Sequence, residues 1–186
     1  MNTERDRIVS ELLLIRCRRG DAAALDELIR LWEDRLFYYI RRLVSDEEDT
    51  WDALQDTWLA VVKGVGKLRD TSSVVSWLYK TARNKAMNRL RSRYDDRTVS
   101  MDCEDFSDDV ESSEEFTVED AELAHAALAK LSLPHREVLT LFFLEDLSID
   151  EMSQILAVAP GTVKSRLHYA KKALKAILEK EGYGLE

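Results

Sequence analysis

The chain has 186 residues, enough for one ordinary domain or two small ones, and 45% of them are hydrophobic, which allows a packed core. Two prolines and six glycines suit helices with short connections and argue against a many-turned β sandwich. Cys17 and Cys103 match no metal spacing and no apolar run approaches the roughly 20 residues that cross a bilayer, while the opening MNTERDRIVSELLL lacks a small-residue cleavage site, so a cytosolic chain with free thiols is expected.

The net charge of −9 argues against a nucleic-acid partner until its distribution is considered. Residues 102–122 hold eleven acids and no base, which leaves the rest of the chain slightly basic. Within that remainder, 77–97 carries seven Lys/Arg against two acids, and 160–180 carries six against one. Two basic stretches flanking an acidic one is the charge pattern to explain.

In chain order, a first short helix is expected from about Asp6 to Arg18, stopped by Gly20. Asp21 can cap the next, whose apolar positions Leu25, Leu28, Trp32, Leu36, Tyr39 and Leu43 recur at three and four residues. Ser45 and Glu48 read as a capping box. The helix they open is expected to bury Trp51, Leu54, Trp58, Val61 and Val65, and to group Asp52, Gln55, Asp56 and Lys63 on a polar face. After the polar loop Lys67–Ser73 comes a helix from about Val74 to Arg93, completing a helical domain over 1–97. The helical period disappears in the acidic, serine-rich segment 98–119, too poor in apolar surface to offset chain entropy, which reads as a flexible linker.

A second helical domain, 120–186, opens with the stripe Leu123, Ala127, Leu128 and Leu131. Pro134 suits a first helical turn, and Val138, Leu139, Phe142 and Phe143 form the next expected buried stripe. Ser148 and Glu151 make a second capping box for a helix over Ile149–Leu156, and after AVAP a last helix runs from Gly161 to about Lys180. The fold class is therefore all-α, in two helical domains joined by an acidic linker.

A capped helix, a four-residue turn and a longer basic helix read as a helix-turn-helix. On the last helix Val163, Leu167, Ala170, Leu174 and Ile177 fall on one side, Lys164, His168, Lys171, Lys172 and Lys175 on an adjacent stripe, and Thr162, Ser165 and Tyr169 further round. Such a helix can offer its first turns to a major groove, short polar groups meeting base edges while Arg166 and the lysines neutralise phosphates. A basic amphipathic helix can also simply hold a bundle together; the capped helix and tight turn before it favour DNA. In the first domain, Val74–Arg93 joins Trp77 and Tyr79 to Lys80, Arg83, Asn84, Lys85, Asn88, Arg89 and Arg91, a mixture that suits stacking on unpaired bases and following a backbone. For Trp77 itself, beside Leu78, a core position comes before a stacking one. His125, His135 and His168 are scattered, without a metal-ligand spacing, a phosphate loop or a nucleophile–base pair, so no cofactor, metal or enzymatic chemistry is expected.

DALQDTWLAVV, SWLYKTARNKAMNRLRSR and GTVKSRL, in that order, resemble bacterial RNA polymerase sigma factors of the extracytoplasmic-function (ECF) subfamily, over about 20–97 and 120–180. The resemblance implies that Asp52, Gln55 and Asp56 dock on the β′ clamp helices of core RNA polymerase, with the β flap as a second contact. It implies that Trp77, Lys80, Arg83, Asn84, Asn88 and Arg91, with the loop Lys67–Ser73, capture the melted −10 element. Thr162, Lys164, Ser165, Arg166, His168, Tyr169, Lys171 and Lys172 would read the −35 element. It further implies an inter-domain linker that threads channels otherwise occupied by nucleic acid, and an anti-sigma factor as a further class of partner. Asn88 stands where the family usually has Asp, and Ala157 and Ala159 where it often has Gly and Ser. The rival reading is a helix-turn-helix regulator whose N-terminal bundle senses a signal or dimerises, without polymerase binding.

Overall fold

The computed structural model describes residues 3–95 and 126–180; the expected linker and the Asp120–Leu123 start of the second domain lie outside them. The chain divides into two compact units, and no strand occurs among the described residues.

The first unit holds α1 (Thr3–Arg18), α2 (Ala22–Val44), α3 (Glu47–Gly64) and α4 (Val74–Asp95), with a single 3₁₀ turn over Val65–Lys67. Helix α1 begins one turn before its expected start and ends where Gly20 takes φ +85°, which a residue without Cβ adopts freely. Asp21 then caps α2 by accepting from the Ala24 amide, while Arg16 bonds the same carboxylate at 2.9 Å and holds it below the usual carboxylate range. Leu28, Trp32, Leu36, Tyr39, Ile40 and Leu43 form the buried face of α2. The Trp32 indole donates to Ser10 Oγ at 2.7 Å, and the Tyr79 ring from α4 meets Trp32 and Tyr39 edge-on at 6.0 and 5.3 Å. These aromatics tie α1, α2 and α4 into one core.

Two expectations at α3 are corrected. Ser45 does not open α3; it closes α2 in the left-handed region at φ 62°, and Asp46 caps α3 by accepting from the Asp49 amide at 3.0 Å. An acid next in line, already in extended geometry, does the capping that Ser45 and Glu48 were expected to share. Trp51 is 52% exposed, whereas Leu54, Trp58, Val61 and Val65 are buried as expected. The buried set centres on Thr50, Leu54, Thr57 and Val61, which turns Trp51 to the rim, where its ring lies 4.5 Å from that of Phe37. Helix α4 packs on α2 and α3 through Val75, Leu78, Tyr79, Ala82 and Ala86, the alanines permitting close approach.

The described residues 126–180 hold α5 (Leu133–Leu139), a π-helical turn over Thr140–Leu144, α6 (Ile149–Leu156) and α7 (Pro160–Lys180), and residues 126–129 are also helical. Pro134 occupies the first turn of α5. The π turn, closed by the Glu145 amide on the Thr140 carbonyl at 3.2 Å, takes one extra residue and shifts the phase of everything after it. Leu141 consequently turns inward, Phe142 becomes half-buried and Phe143 is 40% exposed, contrary to the buried stripe expected for both phenylalanines.

The capping box of α6 forms as read: Ser148 Oγ accepts from the Glu151 amide and the Glu151 carboxylate accepts from the Ser148 amide at 2.9 Å. Helix α7 buries Val163, Leu167, Ala170 and Leu174, with Leu178 taking the place expected of Ile177. Between α6 and α7, Ala157 takes the left-handed conformation at φ 56°, ψ 42°. A Cβ there costs about 1–2 kcal/mol that glycine avoids. Ala157→Gly is therefore expected to stabilise the second unit by about 1 kcal/mol, less the extra entropy glycine loses on folding. Slower native-state hydrogen exchange at the Val163–Leu178 amides would register the gain; unchanged or faster exchange would show that the turn stores no strain.

Candidate docking face and nucleic-acid interface

On α3, Gln55 is exposed, and Asp52 and Asp56 are about half exposed. They share a cation that sequence reasoning had assigned elsewhere: Arg89 of α4 reaches Asp52 through Nη1 at 3.1 Å and Asp56 through Nη2 at 3.5 Å. Beside them runs a groove of ≈ 410 Å³ lined by Glu33, Trp51, Leu54, Trp58, Leu59 and Val62 together with Asp52 and Gln55. Leu59 and Val62 are as exposed as Trp51, and the buried Trp58 Nε1 meets no hydrogen-bond acceptor among the described residues. Positions 51, 55, 58, 59 and 62 share one side of a 3.6-residue helix, so α3 presents an apolar stripe with an acidic and amide edge. The sequence pointed to the edge; the stripe was hidden because Trp51 was counted as core.

On α4, Asn84, Asn88 and Arg91 are exposed along a stripe that continues from Trp77, with exposed Lys80 beside it and half-buried Arg83 on the flank. Trp77 itself is half-buried. Its ring lies over Gly64, where an added Cβ would come within 2.9 Å of Trp77 Cζ2, so a side chain at the end of α3 would push the ring from this seat. The tryptophan is thus packed against the end of α3 and only partly exposed. The adjoining loop is internally fixed: Asp70 accepts from the Ser72 amide at 3.0 Å and its hydroxyl at 2.8 Å, and Ser73 Oγ donates to the Asp70 carbonyl at 2.8 Å. Such Asx turns hold a loop in shape before any ligand arrives.

On α7, Lys164 and Lys172 are exposed, while Thr162, Ser165, Arg166, His168 and Tyr169 are half-buried. The Ser165 hydroxyl donates to the Thr162 carbonyl at 3.1 Å, and the His168 and Tyr169 rings stack edge-on at 5.4 Å. Burial, then the charge of Arg166, lower the pKa of His135, which keeps that imidazole neutral at neutral pH. The Lys171 ammonium lies 5.3 Å from the ring centroids of both Phe142 and Phe143. The aromatic pair turned outward by the π turn holds this lysine by a cation–π contact.

Residues 28–95 match the family model Sigma-70 region 2, and residues 121–174 match Sigma-70, region 4. The RNA polymerase sigma-H factor of Pseudomonas aeruginosa is 30% identical over 178 residues, covering 90% of this chain and 92% of the relative. The ECF RNA polymerase sigma factors SigM and SigL of Mycobacterium tuberculosis are 32% and 33% identical, covering 86% and 88% of this chain and 79% and 96% of those relatives. Among solved structures, CnrH in complex with the cytosolic domain of CnrY is similar at TM-score 0.69 and 23% identity, over 93% of this chain and 99% of that one. The sigma factor RpoE of Bartonella quintana, in complex with the anti-sigma factor NepR, gives TM-score 0.65 and 23% identity over 83% of this chain and 96% of that one. These two likenesses bear on the fold. With both family regions matched in order and relatives above 30% identity spanning most of their own length, this chain belongs to the ECF family of RNA polymerase sigma factors.

Proposed function

We propose that this sigma factor docks on core RNA polymerase through Asp52, Gln55 and Asp56 together with the Trp51–Leu59–Val62 groove. In the same reading α4 captures the melted −10 strand and α7 reads the −35 element. The single observation that carries the docking role is the exposed apolar stripe with its acidic edge on α3. Such a surface suits an amphipathic partner helix with basic flanks, apolar contact giving affinity and charge giving register. The functional boundaries follow as 1–97 for docking and melting, 98–119 for the linker and 120–186 for upstream recognition. The chain acts in the bacterial cytosol by binding alone; the polymerase supplies the nucleotide chemistry, and an anti-sigma factor is a fitting restraint. Reconstitution with core polymerase and promoter-dependent run-off transcription tests the whole reading; absence of promoter-directed transcripts would overturn it.

The two lysines that sequence reasoning treated alike should behave differently. Lys172→Ala is expected to flatten the salt dependence of promoter binding by about one counterion, a change of roughly 0.9 in log–log slope. Lys171→Ala should change the slope less, since its ammonium is shared with Phe142 and Phe143, and should cost about 0.5–1 kcal/mol of stability instead. Salt titration of polymerase-bound protein on promoter DNA separates them; equal slope losses would assign both lysines to phosphates.

A further inference from the structure

We propose that Arg89 is a built-in competitor for the docking carboxylates, an intramolecular stand-in for a basic side chain of the polymerase that must yield when the partner docks. The proposal rests on the reading of Asp52 and Asp56 as docking residues and adds a regulatory element to that site. One guanidinium spans both acids, at 3.1 and 3.5 Å, and the three groups remain 36–46% exposed. An ion pair this open to water contributes little to stability. The contact between α3 and α4 has its own buried support in Ala53, Leu54, Thr57 and Val61 on one helix and Leu78, Ala82 and Ala86 on the other. The fold therefore does not need Arg89 for cohesion, yet Arg89 removes one of the two negative charges that the face would otherwise offer. A partner cation arriving at Asp52 or Asp56 finds that carboxylate already paired, and its binding must displace the Arg89 bond before adding its own. The arrangement weakens docking and screens the acids against indiscriminate cations, so that only a partner filling the adjacent apolar groove gains enough to complete the exchange.

The test measures affinity of the full chain for core polymerase at about 0.1 M salt and over a salt series. Wild type, Arg89→Gln, Asp52→Ala with Asp56→Ala, and the triple variant are compared, with helicity and melting temperature recorded for each. Arg89→Gln is expected to tighten binding about threefold to tenfold and to steepen the salt dependence, because the face regains a full charge. The gain should vanish in the triple variant. Arg89→Lys, which keeps the charge but cannot span both carboxylates, should give a smaller gain, and serves also if Arg89→Gln unfolds. Unchanged or weaker binding by both Arg89 variants, with weakened binding by the aspartate variant, would overturn the competitor role while leaving the docking face intact. Wild-type affinity in the aspartate variant would remove the docking reading itself, and the competitor with it.

Discussion

Asp52→Arg with Asp56→Arg is expected to reduce association with core polymerase by at least about a hundredfold while leaving the first unit helical, since like charges set against each other across an interface cost several kcal/mol. Both side chains are half exposed and neither belongs to the buried set of α3, so the reversal does not touch the packing against α2 and α4. It does confront Arg89 with two further guanidiniums. That repulsion is screened by water and should cost the fold no more than about 1 kcal/mol. Co-purification of polymerase from a bacterial extract, with circular dichroism of the isolated variant, gives the two readouts. Polymerase retained at wild-type levels would put the docking face elsewhere. Loss of helicity, or a destabilisation clearly larger than that ~1 kcal/mol, together with weakened docking would be the signature of damaged packing instead.

A second large effect is expected at strand opening, the step that separates a sigma factor from a regulator with one DNA-reading element. Arg83→Ala with Asn84→Ala should leave polymerase binding nearly normal but reduce promoter melting by about tenfold or more, since a hydrogen bond to a charged group contributes about 1.5–3 kcal/mol and a neutral one about 0.5–1.5 kcal/mol. The structure supports the choice of residues. Asn84 is exposed on the stripe shared with Asn88 and Arg91, and half-buried Arg83 flanks it. A premelted bubble template should restore much of the lost transcription, because these groups act on the open strand. Permanganate footprints of exposed thymines, with run-off assays on duplex and bubble templates, make the comparison. Normal melting by the double variant would remove these two residues from the site.

What the sequence determined by itself was whatever depends on neighbours along the chain. The periodicity of α2 and α7, the Asp21 cap, the Ser148–Glu151 capping box and the limits of α6 are local, because capping and amphipathicity act within one or two helical turns. The basic stripes were legible for the same reason, whereas the alanine in the turn stood out only against the resembled family and its left-handed conformation only in the structure. The tertiary structure decided everything that depends on which side of a helix is covered, and by what. Trp51 has the spacing of a core residue, yet the faces of α2 and α4 that meet α3 leave it at the rim of a groove. Phe143 follows a correct helical count, which the π turn then shifts out of phase. Arg89 pairs with acids more than thirty positions away, and Lys171 is drawn to two aromatics on another element. A one-dimensional pattern shows how a helix divides into faces, but the partner of each face is fixed only when helices distant in sequence pack together.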